Sequence, residues 1–183
     1  VERDLGVIVD RELKFSKHVE AQVSKANRLL GLIRRSYSYL DIESMRQLFV
    51  ALVRPHLEFC NVAWAPRLQK DRDLIEGVLR RATRMVPCLK DLEYSERLKR
   101  MRLPSMQHRR ERGDMIEVFK YMHDSYSVNQ NLLTPDSESV TRGHKFKLLK
   151  RGCRLNVRQN FFSLRVVDRW NGLPASVVNV PTL

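Results

Sequence analysis

Apolar side chains at Val19, Val23, Ala26, Leu30, Ile33 and Tyr37 are separated by steps of 4, 3, 4, 3 and 4 residues. A helix of 3.6 residues per turn brings that spacing onto one face, and so long a stripe has to be covered by other elements. Ser16 is the expected N-cap, since its hydroxyl can accept from a first-turn amide. The same period returns at Met45, Leu48, Phe49, Leu52 and Val53, behind the capping residue Asp41. Pro55 is expected to end or kink that helix near Arg54. The following stretch to Pro66, with Phe59, Cys60 and Trp64, is apolar and expected to pack against its neighbours. A third stripe, Leu74, Ile75, Val78, Leu79, Ala82 and Met85, runs to about Val86 and stops at Pro87. Asp71 and Asp73 lie at its start, where a helix dipole favours carboxylates. Further helices are expected over about residues 94–101 and, opened by Pro104-Ser105, to about His123, with Ile116, Phe119 and Met122 inward.

The two ends of the chain read differently. Leu5-Gly6-Val7-Ile8-Val9-Asp10 is β-branched and short, which predicts one strand at 5–9, unpaired or paired only with a basic hairpin. That hairpin is the simplest reading of Phe146, Leu148 and Arg154-Leu155-Asn156-Val157-Arg158, which alternate around Arg151-Gly152. Phe161, Phe162, Leu164, Val166, Val167 and Trp170 predict a last amphipathic helix, stopped by Gly172 and Pro174. The expected fold class is therefore mainly α: a helical bundle with a short N-terminal strand, and a small basic β-hairpin plus helix at the C-terminus. Its segments are the strand region at 1–15, a helical domain at 16–123, a Ser-, Asn-, Asp- and Pro-rich linker at 124–141, and a basic segment at 142–183.

Charge points to the partner. The 183 residues carry 34 Lys and Arg against 21 Asp and Glu, a formal +13. Residues 72–112 hold 12 basic and 6 acidic side chains, and residues 142–169 hold 9 and 1, while 113–141 is acidic with 1 and 5. Two basic blocks of this size suggest nucleic acid first and an anionic membrane second. Acids interleaved in the first block leave open that its cations only solvate helix faces. That alternative is weaker for 142–169, where Asp168 is the sole acid. Candidate phosphate contacts are Arg80, Arg81 and Arg84 on one helix and Arg109, Arg110 and Arg112 on another. Lys145, Lys147, Lys150, Arg151, Arg154 and Arg158 form the second block. Phe161 and Phe162 have two uses, base stacking or core packing, and their place at the head of a helical stripe favours the core.

Several chemistries lack their residues. The sequence has no Gly-rich phosphate loop, no Gly-x-Ser-x-Gly elbow and no Asp-Asp pair. His56 and Cys60 are spaced i, i+4, but the other two cysteines have no nearby His, so no metal site is expected and buried apolar cysteines are the better reading. The odd count of 3 cysteines favours a reducing compartment over a disulfide framework. No apolar run approaches the roughly 18 residues of a membrane span. Charges throughout residues 1–20 do not suggest a signal peptide. The first residue is Val1 rather than Met, and the chain is expected to be part of something longer.

Ordered boxes cover nearly the whole chain. They are Leu5-Gly6-Val7-Ile8-Val9-Asp10, then Lys25-Ala26-Asn27-Arg28-Leu29-Leu30-Gly31-Leu32-Ile33-Arg34-Arg35, then Leu52-Val53-Arg54-Pro55-His56-Leu57-Glu58-Phe59-Cys60 with Trp64-Ala65-Pro66. Gln69-Lys70-Asp71, Arg80-Arg81-Ala82-Thr83 and Arg109-Arg110-Glu111-Arg112-Gly113-Asp114-Met115-Ile116 follow. Thr141-Arg142-Gly143-His144, Cys153-Arg154-Leu155-Asn156-Val157-Arg158, Phe161-Phe162-Ser163 and Trp170-Asn171-Gly172-Leu173-Pro174 complete them. In order and spacing the chain resembles the C-terminal third of the reverse transcriptase of non-LTR retrotransposons, in the jockey and CR1-like LINE group. The resemblance implies that residues 1–15 are the end of a palm, near the primer grip, and that the helices at 16–123 are a thumb. Thumb and basic segment would hold an RNA and DNA template–primer duplex beside the upstream palm and fingers. The implied location is the nucleus or a cytoplasmic ribonucleoprotein.

The family's Phe/Tyr-Ala-Asp-Asp box, its other metal-binding Asp and its endonuclease domain lie upstream of anything present here. The resemblance therefore implies Mg²⁺ in the parent RNA-directed DNA polymerase and no cofactor held by this chain. Two other readings stay open: a stand-alone helical RNA- or DNA-binding protein derived from such an element, and a basic module for an acidic protein or membrane surface. The last would leave an apolar face exposed beside the basic one. Two-metal phosphoryl transfer needs two ions held about 4 Å apart by converging carboxylates. Residues 1–183 are accordingly expected to extend no primer with Mg²⁺ or Mn²⁺ on any template. Template-dependent dNTP incorporation by the purified chain would reveal a metal site among Asp4, Asp10 and Asp114.

Overall fold

The 4–3 stripe forms α1, Ser16–Ser36, and buries Val19, Val23, Ala26, Leu30 and Ile33. The computed structural model describes residues 1–123, 125–126, 132–136 and 143–181. Thr141-Arg142 and most of the expected linker at 124–141 lie outside them. The fold is mainly α, as the helical periodicity predicts, with a two-stranded antiparallel sheet at the N-terminus. It divides into two compact units, Val1–Arg110 and Glu111–Leu183.

In the first unit the expected strand at 5–9 is instead a hairpin. Strand β1, Glu2–Asp4, pairs with β2, Val7–Val9, in the register Glu2↔Val9, Arg3↔Ile8, Asp4↔Val7. Leu5 and Gly6 are its two-residue loop, with φ of 43° and 87°. Positive φ at both loop positions matches the twist of the flanking strands, and the glycine adopts it without a Cβ penalty. The partner of β2 is thus its own upstream neighbour and not a distant basic hairpin. β2 is fastened to α1 through His18: the Ile8 backbone N–H donates to Nδ1 at 3.2 Å. His18 is fully buried, edge-on to the Trp64 ring at 4.8 Å, and its Nε2 has no hydrogen-bond partner.

Ser16 does not cap α1. Phe15 holds the N-cap position in the left-handed region, and the Ser16 hydroxyl donates to Asp71 Oδ2 at 2.7 Å. Asp41 does cap its helix, α2, Ile42–Leu48, accepting from the Ser44 backbone N–H at 2.7 Å. Pro55 does not end the helical path. Residues Phe49–Val53 wind as a π-helix, in which the Arg54 N–H reaches back five residues to the Phe49 carbonyl, and α3 continues from Arg54 to Glu58. A wider turn before the proline relieves the clash of its ring with the carbonyl four residues back. It also keeps Met45, Phe49, Val53 and Leu57, spaced by four, on one buried face. Leu52 is carried outward and is exposed, as are Phe59 and Cys60 beyond it.

Helix α4, Gln69–Arg84, buries Ile75, Val78, Leu79 and Ala82 against α1, and fully buries Asp71. Leu74, expected inside, is 41% exposed, and Tyr37 beyond α1 is 46% exposed. A 3₁₀ turn at Pro87–Leu89 leads to α5, Tyr94–Met101, and then to α6, Met106–Met122. Ser105 and Glu76 cap α6, accepting from the His108 and Met106 amides at 3.1 and 2.9 Å. The expected burial of the cysteines is not found: Cys60 and Cys88 are exposed and Cys153 is half-buried.

In the second unit the basic hairpin is absent. Residues 147–149 instead meet 134–136, with Asp136 N–H to Lys147 O and Leu149 N–H to Thr134 O, both at 2.8 Å. Asn156 and Arg158, expected in a strand, lie in α7, Asn156–Gln159. The last helix is broken into α8, Phe162–Arg165, and α9, Val167–Asn171, and α10, Ala175–Val178, follows. Phe162, Val166, Val167 and Trp170 are buried as expected, whereas Phe161 is 44% exposed. Polar clamps order this small core. Asn171 bonds both backbone groups of Leu148, at 2.9 and 2.8 Å, and Arg165 grips Asp114 through two bonds at 3.0 and 2.9 Å.

Burial holds His18 below its ordinary value of 6.5, with Lys25 and Arg3 adding in the same direction. Between that value and the lower folded one, the unfolded chain binds a proton that folded His18 refuses, so stability falls as pH drops from about 6.5. Burial works against Asp10, but amides of Lys14, Phe15 and Glu12 outweigh it; the Ser44 amide lowers Asp41. Those two carboxyls cost stability only below their ordinary 3.8. The melting temperature is expected to fall between pH 7 and 5, and His18→Gln to flatten that fall. An equal fall in the variant would assign the proton uptake elsewhere.

Candidate nucleic-acid interface

Buried Ile75, Val78, Leu79 and Ala82 fix the roll of α4, and that roll turns Arg80, Arg81 and Arg84 outward. All three are exposed. Arg80 and Arg84 are one turn apart, and Arg81 lies three residues from Arg84, so the three form one cationic face. Arg80 is stacked 5.0 Å from the centre of the Tyr94 ring. Tyr94 is itself anchored, its hydroxyl donating to Glu76, and burial together with that carboxylate pushes its pKa far up. A neutral, fixed ring therefore positions Arg80. Arg97 also lies over this ring at 5.5 Å, almost wholly buried. Burial first, and then the Arg84 charge, hold Arg97 below the usual arginine range.

The face continues into a cleft of about 570 Å³ at the C-terminal ends of α1 and α4. Arg34 lines it from α1, Arg81 and Arg84 from α4, and Lys90 from beyond the 3₁₀ turn, with no carboxylate among its lining residues. Sequence reasoning missed Arg34 and Lys90. The available signal was the Arg34-Arg35 pair in the last turn of α1, a common place for charges that answer the helix dipole.

Arg109, Arg110 and Arg112 do not form a second exposed row. Arg109 is committed to Glu58 through two bonds at 3.0 Å, which raise its pKa. Arg110 is buried, and Arg112 alone is exposed. Successive residues on a helix point about 100° apart, so 109, 110 and 112 cannot share a face as 80, 81 and 84 do. In the second unit Lys145, Lys150, Arg151, Arg154 and Arg158 are exposed and Lys147 is half-buried. Lys150 pairs with Asp168 at 2.5 Å, Arg158 stacks on Phe161 at 5.0 Å and Lys145 on Phe146 at 5.0 Å. Among the described residues no three His, Cys, Asp or Glu side chains form a group able to hold a metal, and no helix is long and apolar enough to cross a membrane.

No family model, curated protein or solved structure matches the chain.

Arg109→Ala would leave Glu58 with Arg54 at 3.8 Å as its remaining cationic partner. A bidentate, partly buried pair of this kind is worth about 1–2 kcal/mol. The urea midpoint should fall accordingly with an unchanged slope. An unchanged midpoint would show that the Arg109–Glu58 pair adds nothing to the fold.

Proposed function

We propose that this chain is the thumb and C-terminal region of a jockey- or CR1-like non-LTR reverse transcriptase, and that it holds a template–primer duplex without carrying the catalytic centre. The observation that supports the reading best is the exposed row of Arg80, Arg81 and Arg84, continued by Arg34 and Lys90 into a cleft that no carboxylate lines. Guanidinium groups pair well with phosphate oxygens, and contacts made to phosphate carry no sequence information, so such a face would hold a duplex at any sequence. The order and spacing of the boxes from Leu5 to Pro174 support the family reading. In this reading Lys145, Lys147, Lys150, Arg151, Arg154 and Arg158 are a second backbone contact, and Mg²⁺ belongs to the upstream palm.

Phosphate neutralisation releases counterions, so binding through about five phosphates gives a slope of log K against log salt near −4. Converting Arg80, Arg81 and Arg84 together to Ala is expected to flatten that slope by roughly two to three units. An unchanged slope in titrations of a labelled RNA–DNA hybrid would remove these residues from the interface. The same substitution at Arg151, Arg154 and Arg158 measures the second block separately.

A further inference from the structure

The cleft at the ends of α1 and α4 joins its cations to an aromatic face. Tyr37 lines it, the residue nearly half exposed and its backbone N–H tied to the Ile33 carbonyl at 3.2 Å. Tyr39, two residues on, is 68% exposed. The cations exceed what the helix ends require. Each C-terminus presents roughly half a negative charge, about one in total, against four cations at Arg34, Arg81, Arg84 and Lys90. The volume lies within the range of ligand clefts, about 300–1,000 Å³. A duplex offers phosphates outside, which a tyrosine hydroxyl can reach, but keeps its bases stacked within, so it gives the ring of an exposed tyrosine no free base face to stack on. An unpaired strand offers both groups, and an aromatic platform in a cationic groove is what such strands use.

We infer that this cleft is a binding site for unpaired nucleotides of a single-stranded nucleic acid, one base stacking on Tyr37 and the flanking phosphates meeting Arg34, Arg81, Arg84 and Lys90. The inference rests on reading the α4 face as a nucleic-acid surface and adds a ligand state that the duplex reading lacks. Duplex held along Arg80, Arg81 and Arg84 would then pass an unpaired end into the cleft.

The test uses the whole 183-residue chain and three labelled ten-residue probes: a single strand, its duplex, and an abasic strand with the same backbone. Tyr37→Ala is expected to weaken the single strand about tenfold, as loss of one stacked base does, while duplex and abasic affinities stay within twofold. Tyr37→Phe keeps the ring and is expected to keep the affinity. A 2-aminopurine in the strand should be quenched by the wild-type chain and by Tyr37→Phe, but not by Tyr37→Ala. Unchanged single-strand binding by Tyr37→Ala would overturn the site while leaving the duplex reading intact. An equal loss on all three probes would overturn it too, by showing that Tyr37 acts on the fold. If the wild-type chain bound none of the probes, both readings would fall.

Discussion

Helices α1 and α4 lie side by side and point the same way: Ser16 meets Asp71 at their N-terminal ends, and Arg34 shares a cleft with Arg84 at their C-terminal ends. Parallel helices bring like ends of their dipoles together, which costs energy unless charges answer at both ends. Asp71, fully buried, takes the Ser16 hydroxyl where the two positive ends converge. Arginines gather where the two negative ends converge. The packing that forces this arrangement is apolar. Each of Val19, Val23, Leu30 and Ile33 contributes roughly 1.5–3 kcal/mol by leaving water. The cationic cleft is therefore a consequence of how α1 must be covered.

The π-helix at Phe49–Val53 serves the same core from the other side. Buried residues at 45, 49, 53 and 57 repeat every four positions, and a uniform α-helix would carry such a row about 40° around its axis at each step. The wider turn holds the row in line, so that the helical path can cross Pro55 and bring Leu57 into the core and Glu58 to Arg109. An arginine that could have served an interface becomes part of the scaffold. The exposed cationic face is left to α4, where four apolar residues already occupy the inner face and the arginines can only turn outward.

The smaller unit is organised differently. Its core is modest, and side-chain-to-backbone bonds take the place of regular pairing. Asn171 acts on Leu148 as a strand partner would, Trp170 Nε1 donates to the Phe146 carbonyl at 2.6 Å, and His144 Nε2 bonds the Trp170 carbonyl at 3.0 Å. The Trp170-Asn171 pair that stands out in the sequence thus has a structural use, orienting the basic segment around it. Because the segment's amides bond to side chains and to residues 134–136, it has no need of a hairpin partner within itself.

Periodicity alone was enough to reveal α1 and α4, because a helix's hydrogen bonds are local and its buried face repeats along the chain. Asp41 and Pro104-Ser105 were equally legible, since caps act within four residues. The grouping of Arg80, Arg81 and Arg84 could be read for the same reason. What the tertiary structure decided depends on contacts between distant residues. Ser16 abandons its own helix for Asp71, 55 positions away. Arg109 is taken by Glu58, Tyr37 is left outside the core, and the 146–149 segment pairs backwards rather than forwards. The cleft belongs to this second class, because Arg34 becomes a neighbour of Arg84 only when α1 packs parallel to α4, and no local pattern records which of two helical faces will meet.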